Sequence, residues 1–211
     1  MKEETDRGTL MKRLMLVMVT VVMSICLLGC GTSAKEIKLK SKSEKADVFR
    51  EVMEGGPVPK GFVDMTIRAS IKTHREGHYP LEPREQFHGN PEYPFLINID
   101  GQAAIWKVDG SMDNIPPNDE KGRTSTDPEA GPGVKYVIDK KIRIASGTHK
   151  IFFGLPAENF SKEFEVTLNE EKMYVLELKP LYREKVHPYR MPSFLEGIKE
   201  YEVFLNGVLV R

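Results

Sequence analysis

From Phe62 onward apolar residues fall at every second position. Val63, Met65, Ile67, Ala69 and Ile71 lie on one face of an extended chain. Asp64, Thr66, Arg68, Ser70 and Lys72 lie on the other. Side chains of a strand alternate between its two faces, so the spacing predicts a half-buried strand. The next rhythm runs through Phe95, Ile97 and Ile99, then Ala104, Trp106 and Val108, around Asp100-Gly101. Asp-Gly between two apolar runs is a hairpin signal, because both residues tolerate positive φ. A two-residue turn there pairs Ile97 with Ala104 and Phe95 with Trp106. Residues 134–145 and 148–153 flank Ser146-Gly147 and put Ile142, Ile144, His149, Ile151 and Phe153 on one face. Phe164, Val166 and Leu168, then Tyr174, Leu176 and Leu178, continue the alternation. The chain closes with strands over 201–205 and 208–211 around Asn206-Gly207, a second hairpin turn.

Eight or nine short strands separated by turn residues, with no sustained 3.6-residue period, predict an all-β fold. Helical turns are expected only over 48–54 and 193–199. With no helix to cover them, sheets must cover each other. The expected architecture is an antiparallel two-sheet β-sandwich with two long loops and little helix. The first loop, 73–93, carries Pro80, Pro83 and Pro91 with His74, His78 and His88. The second, 109–133, carries Pro116, Pro117, Pro128 and Pro132 and no apolar rhythm. Loops of this length are functional or disordered in compact domains. In the closing hairpin Val203, Leu205, Val208 and Val210 share one face, while Phe204 and Leu209 fill the other. Both faces need cover, from the fold itself or from a partner chain.

The amino-terminal residues read differently. Lys12-Arg13 precedes an apolar run over 14–28, broken by Thr20, Ser24 and Cys26. It is shorter than the ~20 residues of a membrane span and has the layout of a secretory signal. Glu3, Glu4 and Asp6 are out of place in such a signal, so translation is expected to start at Met11. The expected organisation is a signal peptide over 1–29, a lipidated flexible tether over 30–47 and one sandwich domain over 48–211. The tether reading rests on Lys35, Lys38, Lys40, Lys42 and Lys45 among serines, with minimal apolar content. Attraction of these lysines to lipid headgroups is the functional alternative.

Leu27-Leu28-Gly29-Cys30 resembles the lipobox of bacterial lipoproteins. The resemblance implies cleavage before Cys30 and acylation (palmitate included) of Cys30, with the membrane as partner. Gly31 in place of aspartate implies outer-membrane delivery, at the periplasmic face, if the host is Gram-negative. A mature chain would then have no free thiol, hence no disulfide and no cysteine nucleophile. Residues 91–101, running Pro91-Glu92-Tyr93-Pro94 into the strand and Asp100-Gly101, resemble the opening of PEGA-type bacterial surface domains. Ser146-Gly147-Thr148-His149 is similar to their central hairpin, and residues 166–168 and 174–178 to their closing pair of strands. Tyr93-Pro94 departs from the family's Gly-Ala, and the 109–133 insertion separates the halves. A generic immunoglobulin- or transthyretin-like sandwich stands as the alternative. The family implies a binding or structural module with no catalytic residues to carry over.

The chain has 211 residues, 31 of them basic and 31 acidic, which gives no electrostatic case for a nucleic-acid partner. His74, His78 and His88 are weak metal candidates, since Gly77 and Pro80 disfavour a helix that would align them. His149 falls on the core face and is expected to bond to backbone. Asp109, Ser111, Asp113 and Glu120 echo a calcium loop, but Asn114 stands where its glycine belongs. Tyr79, Phe87, Tyr93 and Trp106 form either an aromatic patch or, for Trp106, part of the core. No nucleophile, zinc-protease, phosphate-loop or dinucleotide motif is present. The expectation is no enzyme, no cofactor and no catalytic residue: a lipid-anchored envelope protein acting as a binding, structural or assembly module. An envelope protein or glycan is the expected partner. The alternative is a metal- or small-molecule-binding lipoprotein using the histidines of 74–88.

Overall fold

The computed structural model describes residues 32–53, 56–81, 87–118, 120–170, 172–184 and 192–210. Cys30 and the signal segment lie outside these residues, as does the proposed start at Met11. The described chain forms helix α1 (Thr32–Lys40) and strands β1 (Phe49–Glu51), β2 (Phe62–Thr73), β3 (Tyr93–Ile99), β4 (Gln102–Val108), β5 (Ser111–Ile115), β6 (Gly131–Ala145), β7 (Gly147–Leu155), β8 (Phe160–Leu168), β9 (Met173–Tyr182), β10 (Ile198–Leu205) and β11 (Val208–Leu209). Short 3₁₀ turns occupy Pro156–Glu158 and Ser193–Glu196. No described helix is long and apolar enough to cross a membrane.

The strands make a seven-stranded sheet, in the order β1-β6-β2-β9-β10-β11 with β5 also paired to β6, and a four-stranded sheet, β4-β3-β7-β8. The two sheets pack face to face as an all-β sandwich. The core between them is built from the predicted alternating residues: Val63, Met65, Ile67, Ala69 and Ile71 of β2 face Phe95, Ile97, Ile99, Ile151 and Phe153. The Asp100-Gly101 hairpin has the expected register, Phe95 opposite Trp106 and Ile97 opposite Ala104. Asp100 and Gly101 both have positive φ, at 49° and 99°. Asn206-Gly207 likewise joins β10 to β11.

The structure departs from the sequence reading in several places. Ser146-Gly147 is not a hairpin: β6 and β7 belong to different sheets, and the chain changes layers there. The shared apolar face of 142–153 holds because both strands line the same core. The proposed closing pair is likewise split, with β8 in one sheet and β9 in the other; β8 pairs instead with β7. The sheets are not wholly antiparallel, since β9 lies parallel to β2, with Asp64 beside Met173 and Ala69 beside Leu178. Residues 49–51 form a strand on β6 rather than a helical turn. Part of the 109–133 loop is strand β5, whose Ser111–Ile115 pairs with the start of β6.

The expected flexible tether is replaced by structure over its described part. Thr32–Lys40 is helical and lies on the outer face of the smaller sheet, where Ile37 is buried against Leu96 and Phe152. The side-chain amide of Asn98 donates to the Lys40 carbonyl at 2.8 Å, and Lys40 pairs with Glu163 at 3.6 Å. One isoleucine among lysines gives no amphipathic signal; burial comes from the pocket that Leu96 and Phe152 present.

Trp106 is 6% exposed, and its indole N–H donates to Glu51 at 2.7 Å, bonding β4 to the strand that edges the larger sheet. Truncating a buried large aromatic costs about 3–5 kcal/mol. Trp106→Ala should therefore lower the melting temperature steeply, and native Trp106 fluorescence should resist iodide quenching. Freely quenched native emission would place the ring on the surface instead.

Candidate functional site

β2 does not stop at the edge of the sandwich. It delivers Lys72, Thr73 and His74 to one end of the molecule, where the turn Pro156–Glu158 and the 3₁₀ turn Ser193–Glu196 also arrive. Alternation places Lys72 on the polar face, yet it is fully buried. Its ammonium donates to Asp113 Oδ2, the Glu129 carbonyl and the Gly131 carbonyl, each at 2.7 Å. The Phe194 ring lies 5.0 Å from the same nitrogen. All three donors of the ammonium thus have acceptors. Gly133 makes room: a Cβ there would stand 2.7 Å from Lys72 Cε and from the Thr73 carbonyl. Glu129 extends the network, accepting from Tyr182 at 2.8 Å and from Lys135 at 2.6 Å.

Beside this network the structure brings His74 and His88 together. His88 Nδ1 lies 2.8 Å from His74 Nε2, and His88 Nε2 lies 2.6 Å from Glu158 Oε1. His74 Nδ1 faces the Arg75 carbonyl at 2.9 Å, and the Tyr93 hydroxyl donates to the same Glu158 oxygen at 2.8 Å. The carbonyl requires a proton on His74 Nδ1, and the carboxylate requires one on His88 Nε2. The His74–His88 contact links the rings into one hydrogen-bonded chain from the Arg75 carbonyl to the Glu158 carboxylate. Burial pushes the Glu158 carboxyl up, but its bonds to His88 and Tyr93 outweigh that and hold it below the usual range. Burial and the neighbouring Glu158 charge push the Tyr93 phenol well up, so it remains a donor.

His78 stacks on His74 with ring centroids 5.5 Å apart, and Tyr79 meets His74 edge-on at 5.1 Å. The three sequence-predicted histidines are therefore neighbours: His74 and His88 share a hydrogen bond, and His78 is in ring contact with His74. Two nitrogens sharing a zinc ion at about 2.0–2.1 Å each would stand wider apart than 2.8 Å. Among the described residues no group of three or more His, Cys, Asp or Glu is placed to hold a metal ion. The calcium-like set is dispersed: Asp113 accepts from Lys72, and Asp109 accepts from the Glu92 N–H at 3.1 Å. Tyr93 and Trp106 are core residues, whereas Tyr79 and Phe87 are each 39% exposed. His149 bonds to the Ala145 carbonyl at 2.9 Å, as its position predicts, and also to Asp100 at 2.7 Å.

A cleft of about 160 Å³ opens between the two groups. His74, Tyr79, His88 and Glu158 line it together with Lys72 and Tyr182 of the buried network and the apolar side chains of Ile71, Phe194, Leu195 and Ile198. Sequence reasoning missed Glu158, Lys72 and Phe194, because none carries a local motif. Glu158 follows Leu155-Pro156, a turn signal that marks the end of a strand but not what its acid meets.

The depressed Glu158 carboxyl has a consequence for stability. Its contribution is present above the ordinary carboxyl value of 4.5 and is lost as pH falls through the lower folded value. Hydrogen bonds to a charged group are worth about 1.5–3 kcal/mol. Glu158→Gln should cost roughly that in denaturant unfolding near neutral pH, and the difference from the parent should shrink below about pH 4. A difference that stays constant into acid would mean that Glu158 is not ionised in the folded protein.

No protein-family model, curated protein or solved structure matches this chain.

Proposed function

We propose that this chain is a lipid-anchored protein of the cell envelope whose sandwich is a non-catalytic binding module, with the cleft at the end of β2 as its ligand site. The observation that carries the reading is the cleft's lining. Apolar Ile71, Phe194, Leu195 and Ile198 share it with polar groups already bonded to one another, to backbone and to Glu158. Ligand sites are mostly apolar with a few fixed polar groups. A general base instead needs a lone pair in reach of the substrate proton. Here the Nδ1 of His74 is turned to the Arg75 carbonyl and its Nε2 to His88. An apolar cavity of about 150 Å³ holds benzene, so the cleft suits a small, largely apolar molecule with one hydrogen-bonding group.

p-Cresol is a suitable probe. At millimolar concentration it should shift the methyl resonances of Ile71, Leu195 and Ile198, and Leu195→Trp, which fills the space, should abolish the remaining shifts. Shifts that survive in Leu195→Trp, or none at all in the parent, would remove the cleft from the proposal.

The anchor rests on residues 12–30. Cys30→Ser should abolish incorporation of labelled palmitate and leave the precursor uncleaved. Normal labelling of that variant would overturn the lipoprotein reading.

A further inference from the structure

Helix α1 gives the anchor a direction. Glu36 meets Ser161 at 3.4 Å, and Lys40 meets Glu163 at 3.6 Å. A helix rises about 1.5 Å per residue and a strand about 3.3 Å, so four helical residues match two strand residues. Helix α1 and β8 therefore run the same way along the smaller sheet. Four residues back from Glu36, Thr32 lies level with residues 158–159. That is the height of the turn carrying Glu158, at the cleft end of the sandwich. Two extended residues span about 7 Å, so Cys30 cannot lie further than that from Thr32. Acyl chains on Cys30 would hold this end nearer to the bilayer than the opposite end.

The same end displays apolar side chains to solvent. Leu81 is 96% exposed, and Tyr79 and Phe87 are each 39% exposed. Aromatic side chains favour the membrane–water boundary, where an apolar body and a polar tip are both accommodated. We propose that this end is the protein's bilayer-facing surface. Tyr79, Leu81 and Phe87 enter the headgroup boundary, and the cleft opens towards the lipid. The opposite end, with the Asp100-Gly101 and Asn206-Gly207 turns, faces away. This proposal rests on the lipid-anchor reading of Cys30.

The test uses the full mature lipoprotein, in which an acylated Cys30 offers no free thiol. Leu81→Cys and, as a control at the far end, Val208→Cys carry a single fluorophore; Val208 is 71% exposed, so exposure alone does not separate the sites. Each is reconstituted in vesicles of phosphatidylethanolamine and phosphatidylglycerol containing a nitroxide-headgroup lipid. The expected result is severalfold stronger quenching at position 81 than at 208. Equal quenching at both positions, in protein that floats with the vesicles and carries the acyl mass, overturns the orientation and leaves the anchor standing. Protein that neither floats nor carries acyl mass overturns the anchor and the orientation with it.

Discussion

The buried ammonium of Lys72 is the constraint around which one end of the molecule is built. A charge taken out of water costs several kcal/mol unless close acceptors replace its hydration. Here the acceptors come from Asp113, Glu129 and Gly131, all within or beside the insertion that follows β4. β5, the turn at 128–129 and the first residues of β6 must therefore be in place together. Once they are, Glu129 fixes Tyr182 and Lys135, and Phe194 lies against the ammonium. Tyr182 and Phe194 also line the cleft. The cleft is thus a by-product of satisfying one cation, and its shape is as firm as that set of bonds.

A second ionic arrangement seals the outer face of β2 near its other end. Asp64 is 3% exposed and meets Arg143 across the β2–β6 pair at 2.6 Å and 3.1 Å. The guanidinium also donates to the carbonyls of Gly56 and Pro57. The hydrogen bond from Arg143, against the opposing effect of burial, holds the Asp64 carboxyl below its usual range. β2 therefore has both ends of its polar face covered by other segments and satisfied by charge. Only its middle, with Arg68 paired to Asp139 at the surface, behaves as a solvated strand face.

The alternating core was legible because a strand's period is a local property. Val63 through Ile71, and Phe95 with Trp106, could be placed from spacing and turn chemistry alone. What spacing does not carry is which sheet a strand joins. Ser146-Gly147 reads as a hairpin because the residues on both sides face the same core, and they do so from opposite layers. The histidines illustrate the same limit. His74 and His88 stand out in the sequence, but their partner Glu158 comes from a remote turn. Alternation puts Lys72 and Asp64 on the solvent face because the segments that bury them lie elsewhere in the chain. Helix α1 has no amphipathic signature because a single isoleucine docks it.

The parallel pairing of β2 with β9 bears on how the chain reaches this state. Residues 64–69 of an early strand meet residues 173–178 of a late one. Closing so long a loop is entropically costly and slows folding. In a chain that emerges amino-terminus first, β2 exists long before the neighbour on its second edge has been made. Until then its backbone donors and acceptors, and the apolar face from Val63 to Ile71, are available to any other extended chain. The interval between synthesis of β2 and arrival of β9 is thus the period in which this protein has most need of a chaperone that binds extended, apolar segments.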